Sequence, residues 1–322
     1  MTFWTAHVSH PGGRAENQDS VDYLTMGELG CWVLADGLGG HGGGAEASRL
    51  AVEAVLSSFR AHPEISGKAL RAYLRAAQDS IEQAKRTPGL GRMKSTIVVL
   101  LADSVQAIGG NIGDSRLYLF RSGGVEYQSP DHSVPGALVR SGTLPAQSVR
   151  FHEDRNRLLR SLGSGKTAEA AIQTIRLCEG DAFLLCSDGF WEYVRELEMI
   201  ADLCKATTPN EWLSAMEGRL LASAPPDSDN FSALAMVFHS AQAPRAAGRR
   251  PETRSPGEVQ KGYRADSRSW LLASLCVLLV LLAGASLWLR HENREGLPPL
   301  PLPIACGGKL SQKFPADAGD RF

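Results

Sequence analysis

The sequence predicts an α+β fold built on antiparallel sheet, and three features carry that prediction. Short runs rich in Val, Ile, Leu and aromatic residues, bounded by Gly, Asp and Ser, recur along the first 239 residues. At 95–120 these runs follow one another too closely for helical crossovers and fit hairpins. Helical periodicity is confined to two pairs of segments, at 45–86 and 192–222.

Taken in order, strand-like runs fall at about 3–9, 31–35, 95–102, 105–111, 116–120, 171–177, 182–187 and 232–239. The run 45–60 follows a glycine-rich turn and repeats its apolar residues at helical spacing. The run 66–86 does the same, with Ser66 placed to cap its start and Pro88-Gly89 beyond its end. Two more helices are expected at 192–205 and 209–222. The stretch 130–160 is polar and without period, which reads as a loop or mobile subdomain.

A chain of 322 residues with 43% hydrophobic and 21% charged residues accommodates one large domain with appendages. The domain is expected to span 1–240. Residues 241–269 are rich in Ala, Arg, Pro, Gly and Ser and read as a disordered linker. Residues 270–289 (WLLASLCVLLVLLAGASLWL) carry no charge over a bilayer's thickness, with Trp270 and Trp288 near the ends. They are expected to form a transmembrane helix, followed by a short Pro-rich tail, 290–322. The amino terminus lacks the basic and apolar regions of a signal peptide. A cytoplasmic front half and a single late span form the simplest topology.

Residues 1–239 hold 22 Lys and Arg against 28 Asp and Glu, a net of −6, and the remainder carries +5. An acidic domain excludes a nucleic-acid footprint there and suits a site that gathers cations. The six cysteines show no zinc spacing, and Cys31, Cys178 and Cys186 read as small core residues.

Chemistry enters through turns. The runs 33–41 and 183–189 are each apolar and end in Asp-Gly, at Asp36-Gly37 and Asp188-Gly189. This brings a carboxylate to the end of a buried strand. Arg14-Ala15-Glu16-Asn17-Gln18-Asp19, Gly113-Asp114-Ser115-Arg116, Asp131-His132-Ser133 and Asp229-Asn230 add further acids at turn-like positions. Singly, each acid is a turn former. Together they supply the oxygen ligands that Mg²⁺ and Mn²⁺ prefer.

This ordered set resembles the metal-dependent protein phosphatase family, the type 2C or PPM serine/threonine phosphatases, in its bacterial form. The resemblance covers residues 1–240. It implies a four-layer α-β-β-α sandwich of two antiparallel sheets with flanking helices, and two Mn²⁺ or Mg²⁺ ions at one end, with a third held more weakly. In that scheme Asp36 bridges the two ions, the Gly37 carbonyl serves one, and Asp19, Asp188 and Asp229 serve the other. Asp114, with Asp188, matches the third site. Water activated between two ions would attack phosphorus. Arg14 matches the phosphate clamp, for which a planar guanidinium is suited. His41 has two readings: proton donor to the leaving oxygen, or a residue that orients water or packs structurally. Some members place a His two residues after the bridging Asp, where this chain has Leu38. Ser95-Thr96 reads as the cap of a core strand. The 130–160 segment matches the flap beside the cleft, and its arginines (Arg140, Arg150, Arg155, Arg157, Arg160) read either as a field for phosphopeptides or as solvated surface charge.

The resemblance implies phosphoserine and phosphothreonine proteins as substrates and a cognate Ser/Thr kinase as counterpart. With the span at 270–289, it implies a single-pass protein of the cell inner membrane. The alternatives are a non-catalytic phosphoprotein-binding pseudophosphatase and a partner-switching regulator phosphatase.

Overall fold

A strand that is apolar at every position must be buried on both faces. The run Ile97–Ala102 has no exposed residue at all, and the architecture follows from that. The computed structural model describes residues 2–39, 43–165 and 169–239. In chain order the elements are β1 (Thr2–His10), β2 (Asp19–Met26), β3 (Leu29–Leu38), α1 (Gly43–Ala61), α2 (Gly67–Ala84), β4 (Lys94–Ser95), β5 (Ile97–Ala102), β6 (Gln106–Ile112), β7 (Arg116–Arg121) and β8 (Gly124–Gln128). There follow α3 (Val134–Arg140), a 3₁₀ turn at Ala146–Phe151, β9 (Ala171–Arg176), β10 (Ala182–Cys186), α4 (Asp188–Trp191), α5 (Glu196–Leu203), α6 (Pro209–Ser223) and β11 (Phe231–His239).

The strands form two antiparallel sheets. One runs β1-β11-β10-β7-β8, and the other runs β2-β3-β5-β6-β9 with β4 paired to β3. Alternate residues of each central strand serve different layers. From β3, Trp32 and Leu34 join Val98, Leu100, Phe183, Leu185 and Leu234 between the sheets. Cys31, Val33 and Ala35 point the other way, onto Val55, Phe59, Leu70 and Leu74 of α1 and α2. On the far side Tyr118, Phe120 and Leu184 meet Trp191, Trp212 and Met216 of α4 and α6. The protein therefore has an α+β fold of two antiparallel sheets with flanking helices.

Several expectations need revision. β2 and β8 were not expected as strands; both are half-exposed edges whose polar residues interrupt the apolar pattern. The run 95–102 is two strands, because Thr96 turns its amide to Asp36 where β3 changes partner from β5 to β4. The helix expected at 192–205 begins at Glu196, because Arg195 is extended (φ −84°, ψ 155°) and its amide is capped by Glu198. The 130–160 stretch contains α3 and the 3₁₀ turn. Ser66 caps α2 as expected, accepting from the Ala69 amide at 3.0 Å. The segments 241–269, 270–289 and 290–322 lie outside the described residues. Among the described residues no helix is long and apolar enough to cross a membrane.

Candidate active site

The acids gather at one end of the sandwich because the strand register sets them there. β2 opens on Asp19, which pairs directly with Asp36 on β3. Asp188 follows β10, Asp229 precedes β11 and Asp114 precedes β7, and these three strands are neighbours in the opposite sheet.

The backbone around Asp36 is fixed by neighbours. Its carbonyl accepts from the Thr96 amide at 2.8 Å and from Ser95 Oγ at 2.8 Å. Its amide donates to Thr96 Oγ1 at 3.1 Å, and Thr96 Oγ1 is 2.7 Å from Ser115 Oγ. That chain of hydroxyls ties the Asp36 strand to the Asp114 turn. Gly37 donates to the Gln18 carbonyl at 3.0 Å, and a Cβ there would lie 2.0 Å from the Gly44 carbonyl oxygen. Glycine is therefore required where β3 meets the start of α1.

Ser187 joins the two sheets. Its hydroxyl donates to Asp19 Oδ2 at 2.8 Å and accepts from the Ser232 amide at 2.9 Å. Asn230 fixes the loop before β2. Its amide nitrogen donates to the carbonyls of Pro11 and Glu16 at 2.9 Å, and its oxygen accepts from the Gln18 amide at 2.8 Å. Beside it, Arg14 forks onto Asp229, with Nε–Oδ1 and Nη2–Oδ2 both at 3.2 Å.

A cleft of about 450 Å³ lies between these groups, lined by Arg14, Asp36, Gly37, Asp114, Asp188 and Asp229. Flap residues Asn156 and Leu158 close one side of it. Asp19 does not line this cleft; it borders a neighbouring open pocket with His7, Ser9 and Arg49. Among the described residues no three acidic, His or Cys side chains are clasped around a single point.

Their electrostatics show strain of one sign. Withdrawal from water pushes the Asp36 carboxyl well up, and Asp188, Asp19, Asp114 and Asp229 reinforce the effect as like charges. Asp188 is raised by the same desolvation and by Asp114 and Glu192. Asp114 is pushed up to about 7 by burial and by Asp131. Asp19 reaches about 6 through burial, although the Ser187 and Ser232 hydroxyls pull it down. Asp19 Oδ1 is buried without a hydrogen-bond partner among the described residues. An all-oxygen donor set, an orphaned buried oxygen and mutually repelling carboxylates fit hard divalent cations.

Of the residues singled out from the sequence, the fold brings Arg14, Asp36, Gly37, Asp114, Asp188 and Asp229 to one cleft, with Asp19 adjacent. His41 lies outside the described residues. The flap arginines are largely engaged: Arg150 pairs with Glu196, Arg155 with Glu192, and Arg160 donates to the Glu169 carbonyl. Sequence reasoning assigned no role to Ser187, Asn230, Glu192 or Trp191, whose indole donates to the Asp114 carbonyl at 3.0 Å. Ser187 and Asn230 lie beside noted acids, and adjacency was the only signal available.

The sequence profile described as Protein phosphatase 2C matches residues 8–220. The chain is 30% identical over 201 residues to protein phosphatase PhpP of Streptococcus pneumoniae, covering 61% of this chain and 81% of that protein. It is 29% identical over 199 residues to serine/threonine phosphatase stp of Listeria monocytogenes, covering 60% and 76% respectively. Among solved structures, the catalytic domain of serine threonine protein phosphatase PstP in complex with 2 manganese ions superposes with a TM-score of 0.63 at 27% identity. That match covers 73% of this chain and 97% of the other. This chain belongs to the protein phosphatase 2C family and is a metal-dependent protein serine/threonine phosphatase.

Proposed function

We propose that the cleft hydrolyses phosphoserine and phosphothreonine in proteins with two divalent ions, Mn²⁺ or Mg²⁺, held by Asp36, the Gly37 carbonyl, Asp19, Asp188 and Asp229. Asp114 and Asp188 would hold a third, weaker ion. The observation that carries this reading is the convergence of Asp36, Asp114, Asp188 and Asp229 on one cleft, with Asp19 in register opposite Asp36; burial first, and then these like charges, raise the Asp36 carboxyl. Near neutral pH a bound divalent cation offsets such an assembly, whereas the metal-free protein relieves it by holding protons. Bound ions of this class acidify water and offset phosphoryl charge.

The chain's own groups do the rest. Arg14 already presents its fork to a pair of oxygens on Asp229. Two phosphoryl oxygens offer the same geometry, so the guanidinium exchanges a carboxylate for the substrate and orients phosphorus in the cleft. Asn230 and Gln18 keep the Arg14 loop in place through backbone contacts. Asn156 and Leu158 on the flap side narrow the cleft. A proton must reach the departing seryl or threonyl oxygen, and His41 is the proposed donor.

We further propose that residues 270–289 anchor the protein as a single span in the cell inner membrane, with the catalytic domain cytoplasmic. Its substrates would be phosphorylated by a Ser/Thr kinase at the same surface. The uncharged run between Trp270 and Trp288 supports the anchor, and tethering raises the local concentration of enzyme near such substrates. The test uses the full chain and a phosphothreonine peptide, with inorganic phosphate release measured against added Mn²⁺. Release that saturates with Mn²⁺ and stops in EDTA is expected. Release indifferent to chelation would overturn the metal-site reading. Recovery of the chain in the soluble fraction of lysed cells would overturn the anchor.

A further inference from the structure

A second cavity, of about 770 Å³, lies on the other side of the flap between the 3₁₀ turn and the start of α5. Its ionic lining is Arg116, Arg140, Arg150 and Arg195 against Asp131 and Glu196, an excess of two positive charges. Arg116 is fully engaged: it forks onto Asp131 at 2.9 and 2.7 Å and lies 3.5 Å over the Trp191 ring. Arg150 is not. Its side chain is only 8% exposed, and Nη2 donates to Glu196 at 2.7 Å. Its Nη1 is buried with no hydrogen-bond partner among the described residues. That nitrogen is closed off from solvent and the guanidinium lies 5.5 Å from the Trp191 ring centroid, so the positive charge open to a ligand comes from Arg140 and Arg195, both exposed. At the rim Phe151 and Leu197 are 78% and 80% exposed, the two most exposed large hydrophobic side chains among the described residues.

The cavity has a fixed relation to the catalytic cleft through the chain. Phe151 lines the cavity and Asn156 lines the cleft. They are five positions apart in the chain, a span of at most about 18 Å even when fully extended. The two sites differ in sign: carboxylates dominate the cleft and guanidinium groups the cavity. A free acidic peptide is repelled by the first and attracted by the second.

We propose that this cavity docks an acidic segment of the protein substrate, distinct from its phosphorylated residue. A carboxylate of that segment meets the exposed guanidinium groups of Arg140 and Arg195, and an apolar neighbour covers Phe151 and Leu197. The docking role rests on the reading of the cleft as the phosphoester-hydrolysing site.

Two measurements on the full chain test it. In the first, fluorescein-labelled Asp-Glu-Phe-Glu-Leu is titrated in EDTA and followed by anisotropy, beside the amide analogue Asn-Gln-Phe-Gln-Leu. Saturable binding of the acidic peptide is expected, weakened roughly threefold to tenfold in Arg140→Gln and in Arg195→Glu. Arg195 is at an exposed position, so Arg195→Glu keeps the test alive if Arg140→Gln misfolds. Equal binding of the two peptides, or wild-type affinity in Arg195→Glu, overturns the proposal. In the second, KM is compared with Mn²⁺ for two phosphothreonine peptides differing only in an acidic-apolar or amide-apolar extension. A ratio of about threefold or more that collapses toward one in Arg195→Glu is expected. Turnover with a wild-type ratio of one sinks the docking site and leaves the phosphatase reading intact. Charge-selective binding without turnover of either peptide sinks the phosphatase reading and leaves an acidic-peptide pocket.

Discussion

Asp19 and Asp36 stand directly opposite each other on β2 and β3, two carboxylates placed in register at the end of one ladder. Like charges directly opposite on a sheet are destabilising. Here the pair is accompanied by Asp188, Asp114 and Asp229, so the fold assembles negative charge at a cost to its own stability. Four expectations follow from that placement and from the contacts around it.

Asp36→Asn removes the central charge while leaving the shape nearly unchanged. Turnover of a phosphothreonine peptide should fall by more than the roughly 100-fold typical of losing an outer partner of a metal site. The metal-free protein should melt at a higher temperature than wild type, since a repulsive group has been neutralised. Stabilisation by Mn²⁺ should be lost in the same variant. Phosphate release checks the first and calorimetry with and without Mn²⁺ the other two, and a variant that loses activity but keeps the full Mn²⁺-induced shift would remove Asp36 from the metal site.

The raised carboxyls set the pH dependence of the metal-free protein. Asp19 at about 6 and Asp114 at about 7 exceed their ordinary value of 3.8. Between about pH 4 and pH 7 the folded state therefore keeps protons that the unfolded chain has released, and stability falls as pH rises through that window. His132 acts in the opposite sense. Burial and the nearby Arg160 and Arg140 hold it down to about 4, so its contribution is lost as pH falls from 6.5 toward 4. Comparing Mn²⁺ with EDTA at each pH cancels the His132 effect. The melting-point increase caused by Mn²⁺ should be small at pH 5 and larger at pH 7.5; a constant increase would contradict the carboxylate assignment.

Arg14→Ala should reduce kcat/KM by about tenfold to a hundredfold, the worth of one charge-assisted contact to phosphate. Arg14→Lys should recover little of it, because an ammonium cannot donate two parallel bonds. Folding stability should change by no more than about 0.5 kcal/mol, since Arg14 and Asp229 are 56% and 48% exposed. Steady-state kinetics beside urea denaturation separates the two effects.

Arg116→Ala is expected to be destabilising for a reason unrelated to catalysis. Arg116 and Asp131 are each 4% exposed and share a bidentate pair. Removing one partner leaves a buried charge and should cost about 3–5 kcal/mol. Replacing both by apolar residues, as in Arg116→Met with Asp131→Leu, should cost less than the single change. Chemical denaturation of the two variants decides this, and equal losses would show that packing on Trp191, not the buried charge, sets the cost.

The legibility of the fold varied with burial. β3, β5 and β10 were readable because both faces are covered and their runs 31–35, 97–102 and 182–186 are apolar throughout. β2 was not, because at the sheet edge its Ser20, Asp22 and Thr25 alternate with apolar residues over a short span. The break before α5 was hidden for a different reason. Glu192–Leu203 keeps helical periodicity, and only the Glu198 contact to the Arg195 amide shows where the chain restarts. In the site, Asp36 and Asp188 were marked by Asp-Gly after apolar runs. Ser187 carries no comparable signal, since its contact to Asp19 spans 168 residues of chain.

By itself, the sequence determined the acids, their order and their positions at strand ends, because apolar runs and turn residues act over a few neighbours. It also determined the α+β class, through hairpin spacing and paired helices. Tertiary structure alone decided that Asp19 faces Asp36, that Arg14 lies on Asp229, and that Arg150 Nη1 is buried without a hydrogen-bond partner among the described residues. Those relations depend on sheet register and on contacts between residues far apart in the chain, and burial then fixes their electrostatic consequence.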